Sequence, residues 1–259
     1  MNVSEYISRK IKEFGALHFT LLDPEEMDKD DIPQFSEVIL KSRSHAVMVG
    51  GSTVIDQEHL SDIVISLKNH INIPIILFPN NVGGITKYAD AIWFMSLFNS
   101  TNPYYITGAQ MLAAPYIKKM GLETLSMAYL IVGEGKAAGF IGQAIPIPLD
   151  KPEIAASYAL AAEYFGFKYI YLEAGSGATN PIPASFISKV KQFLTTSILI
   201  VGGGIRSMKD SYNAVLGGAD IVVTGSIIED DPYKLREIVE GVIRGGKVRK
   251  NKERDFSNR

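Results

Sequence analysis

The sequence predicts an α/β chain folded as a TIM (β/α)8 barrel, and three observations carry that prediction. Eight short, β-branched, apolar runs recur along it, at residues 16–23, 45–51, 74–79, 91–97, 124–132, 169–175, 198–204 and 221–226. Runs this uniformly apolar suit strands buried on both faces of a parallel sheet, and most intervals between them are long enough for the crossover helix that parallel strands require. The chain has 259 residues, close to the roughly 250 that one such barrel takes. An open doubly wound sheet also alternates strands with helices, but length and strand count favour the closed form.

The elements follow in order. A helix at about residues 3–14 precedes the first strand and is placed to plug the bottom of the barrel. Residues 80–90, between the third and fourth strands, are too few for a full crossover helix, so the third helix is shortened to a turn. Residues 133–149 (GEGKAAGFIGQAIPIPL) are rich in Gly and Pro and form an insertion after the fifth strand. Asp150, with Glu153 three residues on, has the spacing of a capping box for a helix over 151–165. In that helix Ile154, Tyr158, Ala161 and Phe165 keep helical spacing, and Gly166 stands where the chain leaves it. Ser207 caps a helix beginning at Met208, which Gly217 and Gly218 end. Asp230 or Asp231, followed by Pro232, opens the last helix. With no internal repeat and no low-complexity linker, residues 1–245 read as one barrel domain and 246–259 as a basic tail.

Composition narrows the function. The chain is 46% hydrophobic and 21% charged, and it has no cysteine, which excludes disulfides and thiol chemistry. The start lacks a signal-peptide core, and no apolar run reaches the ~20 residues that span a bilayer, so a cytoplasmic protein is expected. A net charge of −2 argues against nucleic acid as a partner. The charge is uneven: residues 245–259 hold six Lys/Arg against Glu253 and Asp255, a sum of +4 that leaves −6 for the remainder. Such a tail reads either as a solvated terminus or as a peripheral contact with anionic lipid headgroups.

Catalytic groups of this fold stand at the C-terminal ends of the strands. The first strand ends in Asp23-Pro24, the second in Gly50-Gly51-Ser52, the sixth in Glu173-Ala174-Gly175-Ser176-Gly177, the seventh in Gly202-Gly203-Gly204 and the eighth in Gly225-Ser226. Glycines after the seventh and eighth strands read either as tight turns or as a phosphate site, where the backbone approaches the oxygens closely. Asp23 reads as a helix cap or as a ligand for Mg2+, which is commonly held by one or two carboxylates plus substrate phosphates; Ser52 could add a hydroxyl beside it. Glu173, in an apolar strand end, reads as a general base with a raised pKa or as a partner of Lys168 or Arg206. Tyr171, two residues earlier, points to the same side. No two of the four histidines have the spacing of a zinc site, and His18, in phase with Thr20, is expected to pack or hydrogen-bond.

Six segments, HFTLLDP, MVGGS, LFNSTNPYYITGAQ, YLEAGSG, IVGGGI and VVTGS, stand in this order from about residue 15 to 245. Together they resemble the geranylgeranylglyceryl phosphate synthases of the prenylglyceryl phosphate synthase family. The resemblance implies an Mg2+-dependent prenyltransferase that joins geranylgeranyl diphosphate to the 3-hydroxyl of sn-glycerol 1-phosphate, forming the first ether bond of archaeal-type membrane lipids. It implies Mg2+ at Asp23 with Ser52 close by. Tyr171, Leu172, Glu173, Ala174, Gly175, Ser176 and Gly177 would bind glycerol phosphate, its phosphate held by the backbone at Gly203, Gly204, Gly225 and Ser226. Glu173 would accept the hydroxyl proton, and Tyr171 would face the allylic cation. A prenyl diphosphate would cross the other half of the mouth with its tail in an apolar groove, lined by Trp93 or Tyr104, and the chain would be a homo-oligomer, a dimer or a hexamer. Two alternatives remain: a related synthase with another chain length, such as heptaprenyl, and a different phosphate-binding barrel enzyme. An isomerase or epimerase usually needs paired acid and base groups across the barrel, and the fifth strand, TLSMAYLIV, offers no acid.

Overall fold

Eight strands pair in parallel, each with the next in the chain and the last with the first: β1 (Leu17–Leu22), β2 (Ala46–Val49), β3 (Ile75–Leu77), β4 (Ala91–Leu97), β5 (Glu123–Ile131), β6 (Tyr169–Glu173), β7 (Ile198–Gly202) and β8 (Ile221–Thr224). The result is the closed TIM barrel. The computed structural model describes residues 2–51, 56–225 and 232–257. The helices are α1 (Val3–Phe14), α2 (Ile32–Ser42), α3 (Gln57–His70), α4 (Ala109–Met120), α5 (Lys136–Ile141), α6 (Pro152–Tyr164), α7 (Ala184–Lys191), α8 (Met208–Gly217) and α9 (Pro232–Ser257).

Strand side chains alternate between two buried environments, which is why the strands read as continuous apolar runs. One set fills the lumen: Phe19, Met48, Ile76, Trp93, Tyr129, Tyr171, Ile200 and Val223. The other set packs outward. Leu22, Val49, Leu77 and Ile92 meet α2, α3, α4 and α9, while Leu130, Leu172, Val201 and Val222 meet α6, α7 and α8.

The lumen is closed from below by α1. Val3 and Ile7 are fully buried in the lumen cluster. The Glu123 carboxylate at the start of β5 accepts the backbone N–H groups of Val3 (2.6 Å) and Ser4 (2.8 Å). It thereby satisfies two donors that the first turn of a helix leaves unpaired, and its charge complements the helix dipole.

Three expectations about elements change. Residues 78–90 between β3 and β4 form turns without a helical turn, so this sector of the outer layer has no crossover helix. Asp150 does not cap α6: Lys151 holds the cap position without a side-chain bond, and Pro152 opens the first turn, where its missing N–H costs nothing. Residues 246–257 continue α9. Buried Asp220 pairs with Arg249 (2.8 Å) and Lys191 (2.5 Å) and accepts the Leu199 N–H. Lys250 donates to the Glu13 carbonyl (2.6 Å). Two of the cations counted in a tail therefore fasten α9 to the bottom of the barrel. Ser207 does cap α8, accepting the Asp210 N–H at 3.1 Å. Asp230 and Asp231 lie outside the described residues. Among the described residues, no helix is long and apolar enough to cross a membrane.

Behind β1 lies a buried polar network. His18 Nε2 meets Thr224 Oγ1 at 2.9 Å and its Nδ1 meets Ser44 Oγ at 3.0 Å; Thr20 donates to the same serine at 3.0 Å. The network ties the C-terminal end of β8, one residue before Gly225, to β1 and to the turn before β2. Burial, followed by the neighbouring His45, pushes the His18 pKa down to about 3. Burial, followed by Lys10, pushes His45 down to about 4. Both rings are neutral in the fold and would take up a proton on unfolding below pH 6.5, so stability falls as pH drops from about 6.5 toward 4. Calorimetric melting across that range should show a falling Tm. His18→Gln should cost about 1–3 kcal/mol at neutral pH through lost hydrogen bonds and flatten the acid slope; an unaltered slope would contradict this role for His18.

Candidate active site at the barrel mouth

Because all eight strands run the same way, their C-terminal ends form one rim. Glu173 closes β6 and is 6% exposed. Its Oε1 accepts the Gly175 N–H at 2.6 Å, and the hydroxyls of Tyr171 and Tyr129 neighbour its carboxylate and favour its ionised form. Burial raises its pKa above the ordinary carboxylate value, while those three donors pull the other way without cancelling the rise. Burial raises both tyrosines well above the usual phenol value, and the Glu173 charge adds to it, so they stay protonated and can donate. The expected alternative partners are engaged elsewhere: Lys168 donates to Ser4 Oγ (2.5 Å) and Arg206 to the carbonyls of Ala178 (2.8 Å) and Thr179 (3.2 Å).

Tyr129 was not singled out by its sequence. It stands on β5 opposite Tyr171 in the sheet register. The two rings pack edge to face, centroids 5.1 Å apart, and Phe78 stacks on Tyr171 at 5.8 Å. The available signal was a hydroxyl-bearing residue two positions from the C-terminal end of the strand, within its apolar half from Met127 to Ile131. In a closed barrel that position faces the lumen only if the register agrees.

Glu173 requires room on the neighbouring strand. A Cβ on Gly203 would lie 2.6 Å from Glu173 Oε1, and Gly203 has φ +84°, so both contact and conformation demand glycine there. A second close approach is at Asp23. Its carboxylate accepts the Glu25 N–H (3.1 Å), capping the short turn Pro24–Glu26. A Cβ on Gly51 would fall 2.1 Å from Asp23 Oδ2. Asp23 is half-buried, and burial, opposed by the Glu25 N–H and helped by the charges of Glu26 and Glu25, raises its pKa. The helix-cap reading therefore holds, and the same carboxylate also walls the mouth.

Two adjoining cavities open here. The smaller, about 90 Å³, is walled by Tyr171, Glu173, Ser176, Gly177, Gly203, Gly204, Arg206 and Gly225. The larger, about 370 Å³, runs from Asp23, Gly50 and Gly51 past Phe78 and Tyr129. It continues into the sector without a crossover helix, between Val82, Ile85, Ile92, Ala113 and Ile117. Leu21, Glu173, Ser176, Gly177 and Gly225 belong to both walls. Leu172 and Ala174 pack outward in the helix layer, so their side chains do not reach the mouth. Gly175 meets it through its N–H to Glu173. Trp93 contributes to the wall of the larger cavity, and Tyr105 does so where Tyr104 was expected. Ser52 and Ser226 lie outside the described residues. The insertion after β5 contributes Ala138, Ile141 and Gly142 to the larger cavity and steadies the β6 loop, since Gly135 N–H donates to Ala174 O (3.1 Å) and Glu134 accepts the Thr179 N–H (3.1 Å).

Known proteins are similar to this chain in sequence and in fold. Residues 8–242 match the model of the PcrB family. The chain is 50% identical over 243 residues to the geranylgeranylglyceryl phosphate synthase of Methanosphaera stadtmanae, covering 93% of this chain and 99% of that one. It superposes on the crystal structure of (S)-3-O-geranylgeranylglyceryl phosphate synthase from Thermoplasma acidophilum in complex with its substrate sn-glycerol-1-phosphate, with TM-score 0.88, 36% identity and coverage of 95% and 98%. For wild-type GGGPS from Thermoplasma volcanium the TM-score is 0.89 and the identity 38%, with coverage of 96% and 98%. Matched by one family model over most of its length, and by relatives this similar from end to end, the chain belongs to the PcrB family.

Proposed function

We propose that this protein transfers the geranylgeranyl group of geranylgeranyl diphosphate to the 3-hydroxyl of sn-glycerol 1-phosphate. The observation that carries this reading is the meeting of two cavities of different character at one buried carboxylate. The small, glycine-walled cavity suits a phosphate and a short polyol. The larger one is mainly apolar beyond its acidic mouth and suits a prenyl chain whose diphosphate lies near Asp23 and Gly51. The similar proteins named above, one of them with sn-glycerol-1-phosphate bound, support the choice of substrates.

In this reading the allylic C1–O bond of the diphosphate breaks, the diphosphate leaves with the electron pair, and the glycerol 3-oxygen bonds to C1. Glu173 takes the hydroxyl proton. The hydroxyls of Tyr129 and Tyr171 favour the ionised form of Glu173 against burial, and the ring beside the allylic cation is that of Tyr129, in the wall of the larger cavity, in place of the expected Tyr171, which walls the smaller one. Glu173→Gln should cut turnover about 10²–10⁴-fold. Because the base form is needed and its pKa is raised, wild-type activity should fall as pH drops through a value above 4.5, and the variant should lack that limb. Radiolabelled sn-glycerol 1-phosphate incubated with geranylgeranyl diphosphate should become extractable into organic solvent. No extraction would reject the reaction, and near-normal turnover by the variant would remove Glu173 as base.

The donor set at Asp23 suits Mg2+. The half-buried Asp23 carboxylate stands at the mouth with Glu26 on the same cavity wall, and among the described residues no group of three or more His, Cys, Asp or Glu could hold a metal unaided. Such a site fits an ion that takes its remaining ligands from the diphosphate and from water. Bound there, Mg2+ would neutralise charge on the leaving diphosphate. Asp23→Asn should raise the Mg2+ concentration needed for half-maximal activity at least about tenfold; an unchanged requirement would refute the assignment.

Large apolar side chains stand exposed: Met111 (67%) and Tyr116 (60%) on α4, Phe140 (87%) in the insertion, and Tyr164 (80%) and Phe165 (78%) at the end of α6. Exposed apolar surface of this extent marks interfaces, and a second copy of the chain is the occupant proposed. Light scattering should give at least twice the chain mass, and Phe140→Glu should lower it; a monomeric wild type would reject the homo-oligomer.

A further inference from the structure

The small cavity poses a charge problem. A phosphate monoester carries close to two negative charges at neutral pH, and much of the wall is glycine backbone. Among the described residues of that wall, Arg206 is the only cation. Its Nη1 donates to Ala178 O at 2.8 Å and to Thr179 O at 3.2 Å, and its backbone N–H donates to Asp210 Oδ2 at 3.2 Å. Ala178 and Thr179 directly follow Ser176 and Gly177, which wall both cavities. The β6 and β7 loops already touch beside them, since a Cβ on Gly204 would lie 2.5 Å from Asn180 O. The guanidinium therefore sits at the seam of the two loops that enclose the cavity.

A guanidinium carries five N–H donors in a rigid fork. The two on Nη1 account for both carbonyl bonds. The donors on Nη2 and Nε meet no acceptor among the described residues, and Arg206 is in none of their ion pairs.

We propose that Arg206 is the charged anchor of the phosphate subsite: Nη1 bolts the β6 loop to the β7 loop, and Nη2 and Nε meet the phosphate of sn-glycerol 1-phosphate. This assignment rests on the glycerol phosphate reading above. Two roles in one side chain explain why arginine suits the position. Lysine would supply charge without the fork, and a neutral residue could bridge the loops without charge.

The test combines calorimetric binding with steady-state kinetics. Binding of sn-glycerol 1-phosphate and of inorganic phosphate is measured for wild type, Arg206→Gln and Arg206→Lys, without the prenyl substrate. Arg206→Gln should weaken both by about 10- to 100-fold, the loss expected for charge-assisted hydrogen bonds. KM for sn-glycerol 1-phosphate should rise in step, while kcat stays within about threefold and KM for the prenyl diphosphate is unchanged. Arg206→Lys should fall between the two. From about pH 5 to about pH 7.5 wild-type affinity should rise as the phosphate loses its second proton near pH 6, and the rise should shrink in Arg206→Gln. Unchanged affinity in Arg206→Gln would overturn the proposal. So would a fall in kcat together with a rise in both KM values that Arg206→Lys fails to recover, since that pattern belongs to a loop bolt alone. If the wild type binds neither sn-glycerol 1-phosphate nor phosphate, the glycerol phosphate reading itself falls, and Arg206 with it.

Discussion

The pairing of β8 with β1, with Leu17 opposite Ile221 and Thr20 opposite Thr224, closes the sheet, and the layout of the mouth follows from it. An open sheet would leave Asp23 and Gly225 on different edges. Closure sets them on one rim, where the glycine loops after β7 and β8 lie between Glu173 on β6 and Asp23 after β1. The same closure creates a lumen with a bottom, which α1 fills through Val3 and Ile7, and it gives buried His18 a partner on β8 in Thr224. That contact lies one residue from Gly225. Gly225, which walls both cavities, thus follows directly on a strand end held by hydrogen bonds inside the fold.

Asymmetry in the outer layer gives the site its second half. Seven of the eight sectors around the barrel carry a helix, and residues 78–90 do not. The space that a crossover helix would occupy becomes the inner reach of the larger cavity, walled by Ile85, Ile92, Ala113 and Ile117. An apolar chain can then leave the mouth sideways without displacing the packed lumen, where Trp93, Tyr169 and Tyr171 are almost wholly buried. The insertion after β5 covers part of the same cavity and also buttresses the β6 loop through Gly135 and Glu134. One segment thereby touches both binding regions, and Glu173 stands at their junction.

Much of this was legible beforehand, for specific reasons. Strands buried on both faces must be apolar throughout, so the eight runs announced themselves. Phosphate-binding turns need glycine where the backbone comes close, so Gly203, Gly204 and Gly225 stood out. Asp23 and Glu173 were visible as carboxylates in apolar surroundings. Other features had no local signature. Tyr129 becomes part of the site through its register with Tyr171. Asp150 had the spacing of a capping box, yet Lys151 and Pro152 begin the helix, because spacing does not determine which residue leaves the helical conformation first. The basic terminus looked like a tail in composition. Arg249 belongs to the fold because Asp220, buried at the start of β8, needs a counter-charge from a helix nearly thirty residues later in the chain.

By itself, the sequence determined the number and order of the strands, the side of the barrel on which chemistry must occur, and the residue types available there. These follow from local rules: the period of two in a strand, the conformations open to glycine and the cost of burying a carboxylate. Only the tertiary structure decided that Glu173 accepts an amide N–H beside two tyrosines, that the small and large cavities share a wall, and that Arg206 reaches the loop after β6 and not Glu173. Those arrangements depend on strand register and on contacts between residues far apart in the chain, where a few ångströms decide which side chains meet.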